Sequence, residues 1–148
     1  MKGAGIDRLG MHLEVVTPAL RAEIMPGKAQ APLPKYFDSF GPAVEVFGWG
    51  QVSTYILAGL GDSAEAILEM SERLCAIGVY PFVAPFVPVS GTPLESHPAP
   101  SSAFMASVLA PLSGMVLRAD MRAGDIKAGC GKRGACSALS ANQRLAAS

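Results

Sequence analysis

Two side chains near the N-terminus are the first that could do chemistry. His12 and Glu14 stand two residues apart in an apolar segment that predicts a strand over residues 9–16, and residues two apart point to the same face of a strand. A carboxylate on a buried strand needs a partner or a ligand, because desolvating an unpaired charge is costly. Two interpretations stay open: Glu14 pairs with Arg8 or Arg21, or it binds a polar ligand.

A second segment, residues 51–62, predicts a buried strand that ends in a glycine turn and leads into a helix. It has no charged residue before Asp62, which is typical of a strand covered on both faces in a parallel α/β sheet. Gly59 and Gly61 allow the backbone to turn sharply and allow a ligand to approach. Asp62 occupies the position expected of a helix N-cap, with Glu65 three residues later as in a capping box.

The same glycines fit a second binding pattern. Residues 59–64 match the G-x-G-x-x-A sequence of dinucleotide-binding folds. Those folds need an acidic residue at the end of the next strand to bind the ribose, and residues 79–90 contain neither Asp nor Glu. That absence disfavours a dinucleotide-binding module. A βα turn whose glycines serve geometry alone is the plainer interpretation.

The cysteines are the candidate metal ligands. Cys75 lies on the inner face of a predicted helix, where a core thiol is expected. Cys130 and Cys136 lie in a Gly-rich C-terminal segment, and two thiols alone are too few to hold a zinc ion or an iron–sulfur cluster. They are either ligands of a site completed from elsewhere or thiols of a frayed tail.

Composition excludes several classes of protein. The 148 residues carry 12 basic and 12 acidic side chains, so the net charge is zero and no basic surface points to nucleic acid. The N-terminus lacks the apolar segment of a signal peptide. The longest apolar run, residues 79–89, contains three prolines and is too short to span a bilayer. Three cysteines do not suggest a disulfide framework, so a cytoplasmic location is expected.

The remaining elements must position these residues. Strands are predicted near 9–16, 51–58 and 79–87, and helices near 19–24, 35–47, 64–77 and 101–118. Pro42 is expected to kink or break its helix, and His97 is expected in a solvated loop. Alternation of strands and helices implies an α/β fold with a parallel sheet and right-handed crossovers. Three parallel β-α units are too few to close an eight-stranded barrel, so open edges are expected.

Three strand ends, taken together, resemble those of radical S-adenosylmethionine enzymes related to biotin synthase and lipoyl synthase. Residues 11–17, Met-His-Leu-Glu-Val-Val-Thr, are similar to the fourth strand of those enzymes. Residues 53–62 are similar to their fifth strand, which ends Gly-Leu-Gly-Glu, and residues 88–94 carry the Gly-Thr-Pro-Leu of their sixth. The likeness is strongest to a biotin-synthase-like family found in nitrilase-associated bacterial gene clusters.

This resemblance implies a fold and a boundary. Residues 1–122 would be the C-terminal half of a radical S-adenosylmethionine barrel, that is, a partial TIM-type (β/α) barrel. Residues 123–148 would be an irregular tail that contains Gly and Cys. The active site of such a barrel lies at the carboxyl ends of its strands.

The resemblance also implies roles for individual residues. Glu14 would accept hydrogen bonds from the ribose hydroxyls of S-adenosylmethionine, His12 would lie near the same ligand, and Lys28 would contact its carboxylate. Positions after the two later strands would pack against the adenine: Gly59, Leu60, Gly61, Val89 and Gly91.

One departure from that family bears on activity. Its members hold a four-iron cluster with three cysteines in a C-x-x-x-C-x-x-C loop, and the 148 residues contain no such loop. Their tail carries a third cysteine where Arg133 stands here. We therefore expect the S-adenosylmethionine-binding half of a radical enzyme, truncated or split before the [4Fe-4S] loop and inactive alone.

The expected partners follow from that interpretation. They are the missing N-terminal half of the barrel or a second copy of the chain, and a small-molecule substrate, with no nucleic acid and no membrane. The alternative function is that of a non-catalytic remnant or scaffold.

Overall fold

Three parallel strands form the centre of the fold. The computed structural model describes residues 3, 5–126 and 136–146. These residues include a sheet in the order β1-β2-β3, with strands at Leu9–Gly10, Val52–Ala58 and Val79–Pro85. Both strand pairs are parallel, so the predicted three adjacent parallel strands are confirmed.

Helices connect the strands and follow the last one. The described helices are α1 (Pro18–Ile24), α2 (Pro26–Ala29), α3 (Leu33–Phe47), α4 (Ala64–Ala76), α5 (Ser102–Arg118) and α6 (Leu139–Ala146). Helix α6 lies within the segment that the sequence predicts to be irregular, and it packs against α5. None of the described helices combines the length and the apolar character that a bilayer crossing requires.

The core forms where β2 and β3 meet α4 and α5. Ile56 and Val83 of the two strands are fully buried. Ile67 and Leu74, two helical turns apart on α4, are buried as well, as is Leu112 on α5. Each such side chain contributes roughly 1.5–3 kcal/mol by leaving water. The charge-free segment that predicts a buried strand owes its burial to this packing.

Helix α3 continues through Pro42, so the break that the sequence predicts there is not found. Proline has no N–H to donate to the carbonyl of Asp38, four residues earlier. Asp38 and Pro42 are both exposed, and water can therefore satisfy that carbonyl. The opposite face of α3 stays on the core through Phe40 and Phe47.

The start of α4 differs from the prediction by one residue. Ser63 is the N-cap, and its hydroxyl accepts a hydrogen bond from the N–H of Ala66 at 3.1 Å. Asp62 is buried instead. Its carboxylate accepts hydrogen bonds from the N–H groups of Val16 at 2.8 Å and Thr17 at 3.0 Å. Asp62 thereby ties the segment after β1 to the turn after β2.

Trp49, the single tryptophan of the sequence, lies at the amino end of the sheet. Its indole N–H donates to the carbonyl of Ala119 at 2.8 Å. Its ring lies against Gly78, where a Cβ would come within 2.5 Å of the indole. The turn before β3 therefore needs glycine for this contact as well as for its φ of +77°.

Asp62 and Ser63 make a matched pair for a stability experiment. We expect Asp62→Asn to lower the free energy of unfolding by about 1–3 kcal/mol, because an amide offers one acceptor oxygen where a charged carboxylate offers two. Ser63→Ala removes the N-cap and should cost about 1 kcal/mol. Urea unfolding followed by circular dichroism measures both. An Asp62→Asn variant that is less destabilised than Ser63→Ala would contradict the assignment.

Candidate functional site

Glu14 lies toward the carboxyl end of the sheet, opposite Ile56 of β2. Its N–H donates to the carbonyl of Tyr55 and its carbonyl accepts from the N–H of Leu57, both at 2.8 Å. Its φ is +67°, a left-handed conformation that few non-glycine residues adopt. Such strain persists where surrounding contacts over-determine it, and it clusters at functional sites.

Side chains replace the regular hydrogen-bond ladder just before Glu14. The N–H of Leu13 donates to Oγ1 of Thr54 at 2.9 Å. The N–H of Tyr55 donates to Nδ1 of His12 at 3.3 Å, so the neutral imidazole carries its proton on Nε2. This substitution explains why β1 is shorter than the predicted strand.

Glu14 forms an ion pair with Lys28, a partner that the sequence did not suggest. Nζ of Lys28 lies 2.8 Å from Oε1 of Glu14, and it also donates to the carbonyl of His12 at 3.4 Å. The two charged side chains are 40% and 29% exposed. Solvent, and therefore a ligand, reaches this pair.

The imidazole of His12 belongs to a row of rings that crosses the sheet. Its centroid lies 4.6 Å from that of Tyr55, edge to face, and Tyr55 lies 4.8 Å from Phe82 of β3. The His12 side chain is exposed overall, but partial burial of its ring lowers its pKa from the usual 6.5, and the nearby Lys28 lowers it further, although Glu14 acts in the opposite direction. The ring is therefore neutral at pH 7.

The glycines after β2 are approached by the chain itself. Gly59 and Gly61 have φ values of +105° and +110°. A Cβ on Gly59 would lie 2.7 Å from Cδ of Pro100, and one on Gly61 would lie 3.0 Å from a methyl of Leu20. The Cβ side of each glycine is thus filled by protein, and Leu60 between them is buried. What the turn can offer a ligand is its backbone.

His97 is half-buried, so the prediction of a solvated loop residue is wrong. Its Nε2 lies 2.7 Å from the carbonyl oxygen of Gly59, and its ring contacts that of Phe86 edge to face at 5.4 Å. The N–H of Phe86 donates to the carbonyl of Ala58 at 2.8 Å. The loop after β3 is therefore fastened to the turn after β2. Nothing local to His97 in the sequence signals a contact 38 residues away.

The two predicted ligand residues of that loop are both exposed, and their assignment to the ligand stays a prediction. Val89 is 59% exposed. Gly91 is exposed, and its N–H donates to Oε2 of Glu95 at 2.8 Å. No contact described for this segment of the chain joins Val89 or Gly91 to Glu14. The structure gathers His12, Glu14 and Lys28, and these form the candidate site.

The cysteines divide between core and tail. Cys75 is buried, as predicted, and burial raises the pKa of its thiol to about 12, so it stays protonated. Cys136 is exposed, and Cys130 lies outside the described residues. Among the residues that are described, no three His, Cys, Asp or Glu side chains form a group that could hold a metal. Ligation by Cys130 and Cys136 stays a prediction.

Comparison with known proteins adds one relative. No protein-family model matches the chain. Over 103 residues, which are 68% of this chain, it is 33% identical to bacteriochlorophyllide c C-7(1)-hydroxylase of Chlorobaculum limnaeum. The matched region is 25% of that protein, so this chain spans about a quarter of its length. The similarity supports a relation to radical S-adenosylmethionine enzymes.

The His12 imidazole predicts a pH dependence of stability. Its folded pKa is lower than the unfolded value of 6.5, so its contribution is present above pH 6.5 and is lost as the pH falls through the folded pKa. Protonation removes the acceptor for the Tyr55 N–H and places a second positive charge near Lys28. Urea unfolding between about pH 8 and about pH 5 measures this loss.

The matched variant is His12→Asn, whose amide oxygen accepts a hydrogen bond and does not titrate. Its stability should change less with pH than that of the wild type, since His97 remains in both proteins. Identical pH profiles would show that His12 is not the group responsible.

Proposed function

We propose that this chain is the S-adenosylmethionine-binding part of a radical S-adenosylmethionine enzyme related to biotin synthase. The cluster-binding loop would come from a segment outside these 148 residues or from a partner chain. The observation that carries the proposal is the solvent-accessible pair of Glu14 and Lys28 beside a neutral His12, toward the carboxyl end of a parallel sheet.

The donors and acceptors of this site suit the ligand. A ribose diol offers two O–H donors to the carboxylate of Glu14, and the ammonium of Lys28 can bind the ligand's carboxylate. In the structure the two side chains neutralise each other. A ligand that carries both groups can replace that contact without leaving either charge unpaired, which would otherwise be costly.

A neutral His12 suits this ligand for two reasons. S-Adenosylmethionine has a positively charged sulfonium, which a protonated imidazole would repel, and the pKa of His12 is lowered by partial burial of its ring and by Lys28. The Nε2–H of the neutral ring remains a donor because Nδ1 already accepts from Tyr55. His12 can therefore orient an acceptor on the ligand without adding charge to the site.

The described residues do not fit a four-iron cluster. Such a cluster needs three thiolates, and no described group of three ligands exists. In the full enzyme the cluster and S-adenosylmethionine would supply the radical chemistry. The residues of this chain bind and orient the cofactor's organic part.

The two outer strands of the sheet could pair with further strands of a barrel. Among the described strands, β1 and β3 each pair on one side, with β2 between them. Unpaired strand edges accept further strands. We propose that the other half of a barrel, or a second copy of the chain, completes the sheet there.

A dinucleotide-binding module is less well supported. A pyrophosphate would bind at the N-terminus of α4. The Ser63 hydroxyl already bonds the Ala66 N–H there, and the buried Asp62 carboxylate lies next to it in the chain. A fixed negative charge beside that helix end disfavours a phosphate. A non-catalytic scaffold would retain the fold and lose binding, which a titration with the ligand detects.

Calorimetric titration with S-adenosylmethionine tests the binding role of Glu14. We expect Glu14→Gln to weaken binding about 10- to 100-fold, because hydrogen bonds to a charged group are worth about 1.5–3 kcal/mol. Glu23→Gln makes the same charge change on the exposed side of α1 and should bind like the wild type. Equal affinity of both variants would remove Glu14 from the site, and wild-type protein that binds no S-adenosylmethionine would favour the scaffold.

Catalysis by the chain alone is a separate test. Under anaerobic, reducing conditions the purified chain should release no 5′-deoxyadenosine, because it lacks the three-cysteine loop. Release should begin when the cluster-bearing segment is added. Chromatographic detection of 5′-deoxyadenosine is a sharper measure than iron content, since the cysteines can take up iron during reconstitution. Turnover without the added segment would overturn the proposed division of the enzyme.

A further inference from the structure

We infer that Arg21 is the positioning residue of the candidate site, because one buried guanidinium holds the backbone on both sides of Glu14 and the backbone of Lys28 at the same time. The functional meaning of this inference rests on the proposed function of the pair. The positioning itself does not.

One terminal nitrogen of the guanidinium, Nη1, binds the backbone on either side of Glu14. Arg21 lies on α1 and is 2% exposed. Its Nη1 donates to the carbonyls of Leu13 at 2.5 Å and Val15 at 3.0 Å. These are the residues immediately before and after Glu14, whose left-handed φ needs support from its neighbours. Arg21 supplies that support.

The second terminal nitrogen of the guanidinium, Nη2, binds the segment that carries Lys28. Nη2 of Arg21 donates to the carbonyl of Lys28 at 3.3 Å and to that of Ala31 at 3.5 Å. The guanidinium carbon lies over the ring of Tyr36, 5.3 Å from the ring centroid, in a cation–π contact. The same planar group thus determines how far the backbone of Lys28 stands from that of Glu14.

The hydrogen-bond partners of Arg21 indicate that the shape of its side chain matters. Among the described residues, no carboxylate forms an ion pair with it, and the hydrogen bonds of its two Nη atoms go to backbone carbonyls. A buried cation without a counter-ion is costly. A lysine there lacks the rigid fork of donors that can reach two separate segments, and unlike arginine it loses its charge readily when it is buried.

Asp62 complements this arrangement. Its carboxylate accepts from the N–H groups of Val16 and Thr17, while Arg21 donates to the carbonyls of Leu13 and Val15. The backbone that carries Glu14 is held by an anion and a cation that bind different groups of the same segment.

The competing explanation is that Arg21 only stabilises the fold, with no effect on where Lys28 lies.

The first measurement uses the wild-type chain. If Arg21 is locked by these bonds, NMR should resolve its Nη protons, with slow exchange and slow rotation, and with contacts to residues 13, 15 and 28. A guanidinium whose Nη protons exchange rapidly would overturn the inference. This result does not depend on any variant folding.

The second measurement uses the pKa of His12, titrated by NMR, as a local sensor of Lys28. Lys28→Met should raise that pKa, since the ammonium lowers it. Arg21→Lys keeps a donor at position 21 but cannot bridge both segments, so it should also raise the His12 pKa. Combining the two substitutions should give no further rise beyond Lys28→Met alone, because they act through one contact.

The matched control is Arg73→Lys. Arg73 is exposed on α4 with its guanidinium 4.5 Å above the ring of Phe37, so the same chemical change there should leave the His12 pKa as in the wild type. An Arg21→Lys protein that folds and keeps the wild-type pKa of His12 would show a purely structural role.

Binding gives a separate result. Arg21→Lys should raise the Kd for S-adenosylmethionine by the same factor as Lys28→Met. If the wild-type protein does not bind S-adenosylmethionine, the proposed function fails, and the His12 titration still decides whether Arg21 positions Lys28.

Discussion

The structure depends on satisfying the backbone polar groups between residues 11 and 17. Ladder pairing with β2 stops after Gly10 and returns for a single bridge at Glu14. A buried N–H or C=O without a partner costs as much as a lost hydrogen bond. Side chains from three other places supply the partners: Thr54 from β2, Arg21 from α1 and Asp62 from the turn after β2.

These side-chain hydrogen bonds determine the geometry of the candidate site. A regular strand would carry Glu14 in extended backbone, and no side chain would be needed to hold it. Here the backbone at Glu14 is left-handed, and the polar side chains around it serve structure and site at once. His12 shows both roles, since Nδ1 accepts a backbone hydrogen bond while Nε2–H remains a donor. A ligand that binds at Glu14 thus meets a surface whose hydrogen bonds are already formed, which lowers the entropic cost of binding.

Periodicity and capping residues were sufficient to predict most of the secondary structure. β2, β3, α4 and α5 follow from apolar runs and spacing, whereas β1 ends at Gly10 although a strand over 9–16 is predicted. Ser101 caps α5 by accepting from the N–H of Phe104. The sequence also placed Glu14 toward the end of its strand. It did not show the roles of Arg21, Asp62 and His97. Each of these side chains bonds to backbone N–H or C=O groups, and since every residue type carries the same backbone groups, the sequence does not reveal which ones are the partners. The sequence predicts a kink or a break at Pro42, and α3 continues through it without a break. The exposure that makes the lost hydrogen bond tolerable is a tertiary property, which the sequence does not show.

Trp49 gives the molecule an intrinsic optical label. It is the single tryptophan of the sequence, and it is half-exposed, with its indole against Gly78 and bonded to Ala119. These contacts join the start of β2, the start of β3 and the end of α5, at the end of the sheet opposite to Glu14. Its fluorescence therefore reports whether those elements remain assembled. The ion pair lies at the far end of the strands, so we expect this emission to follow the integrity of the fold and not the occupancy of the site.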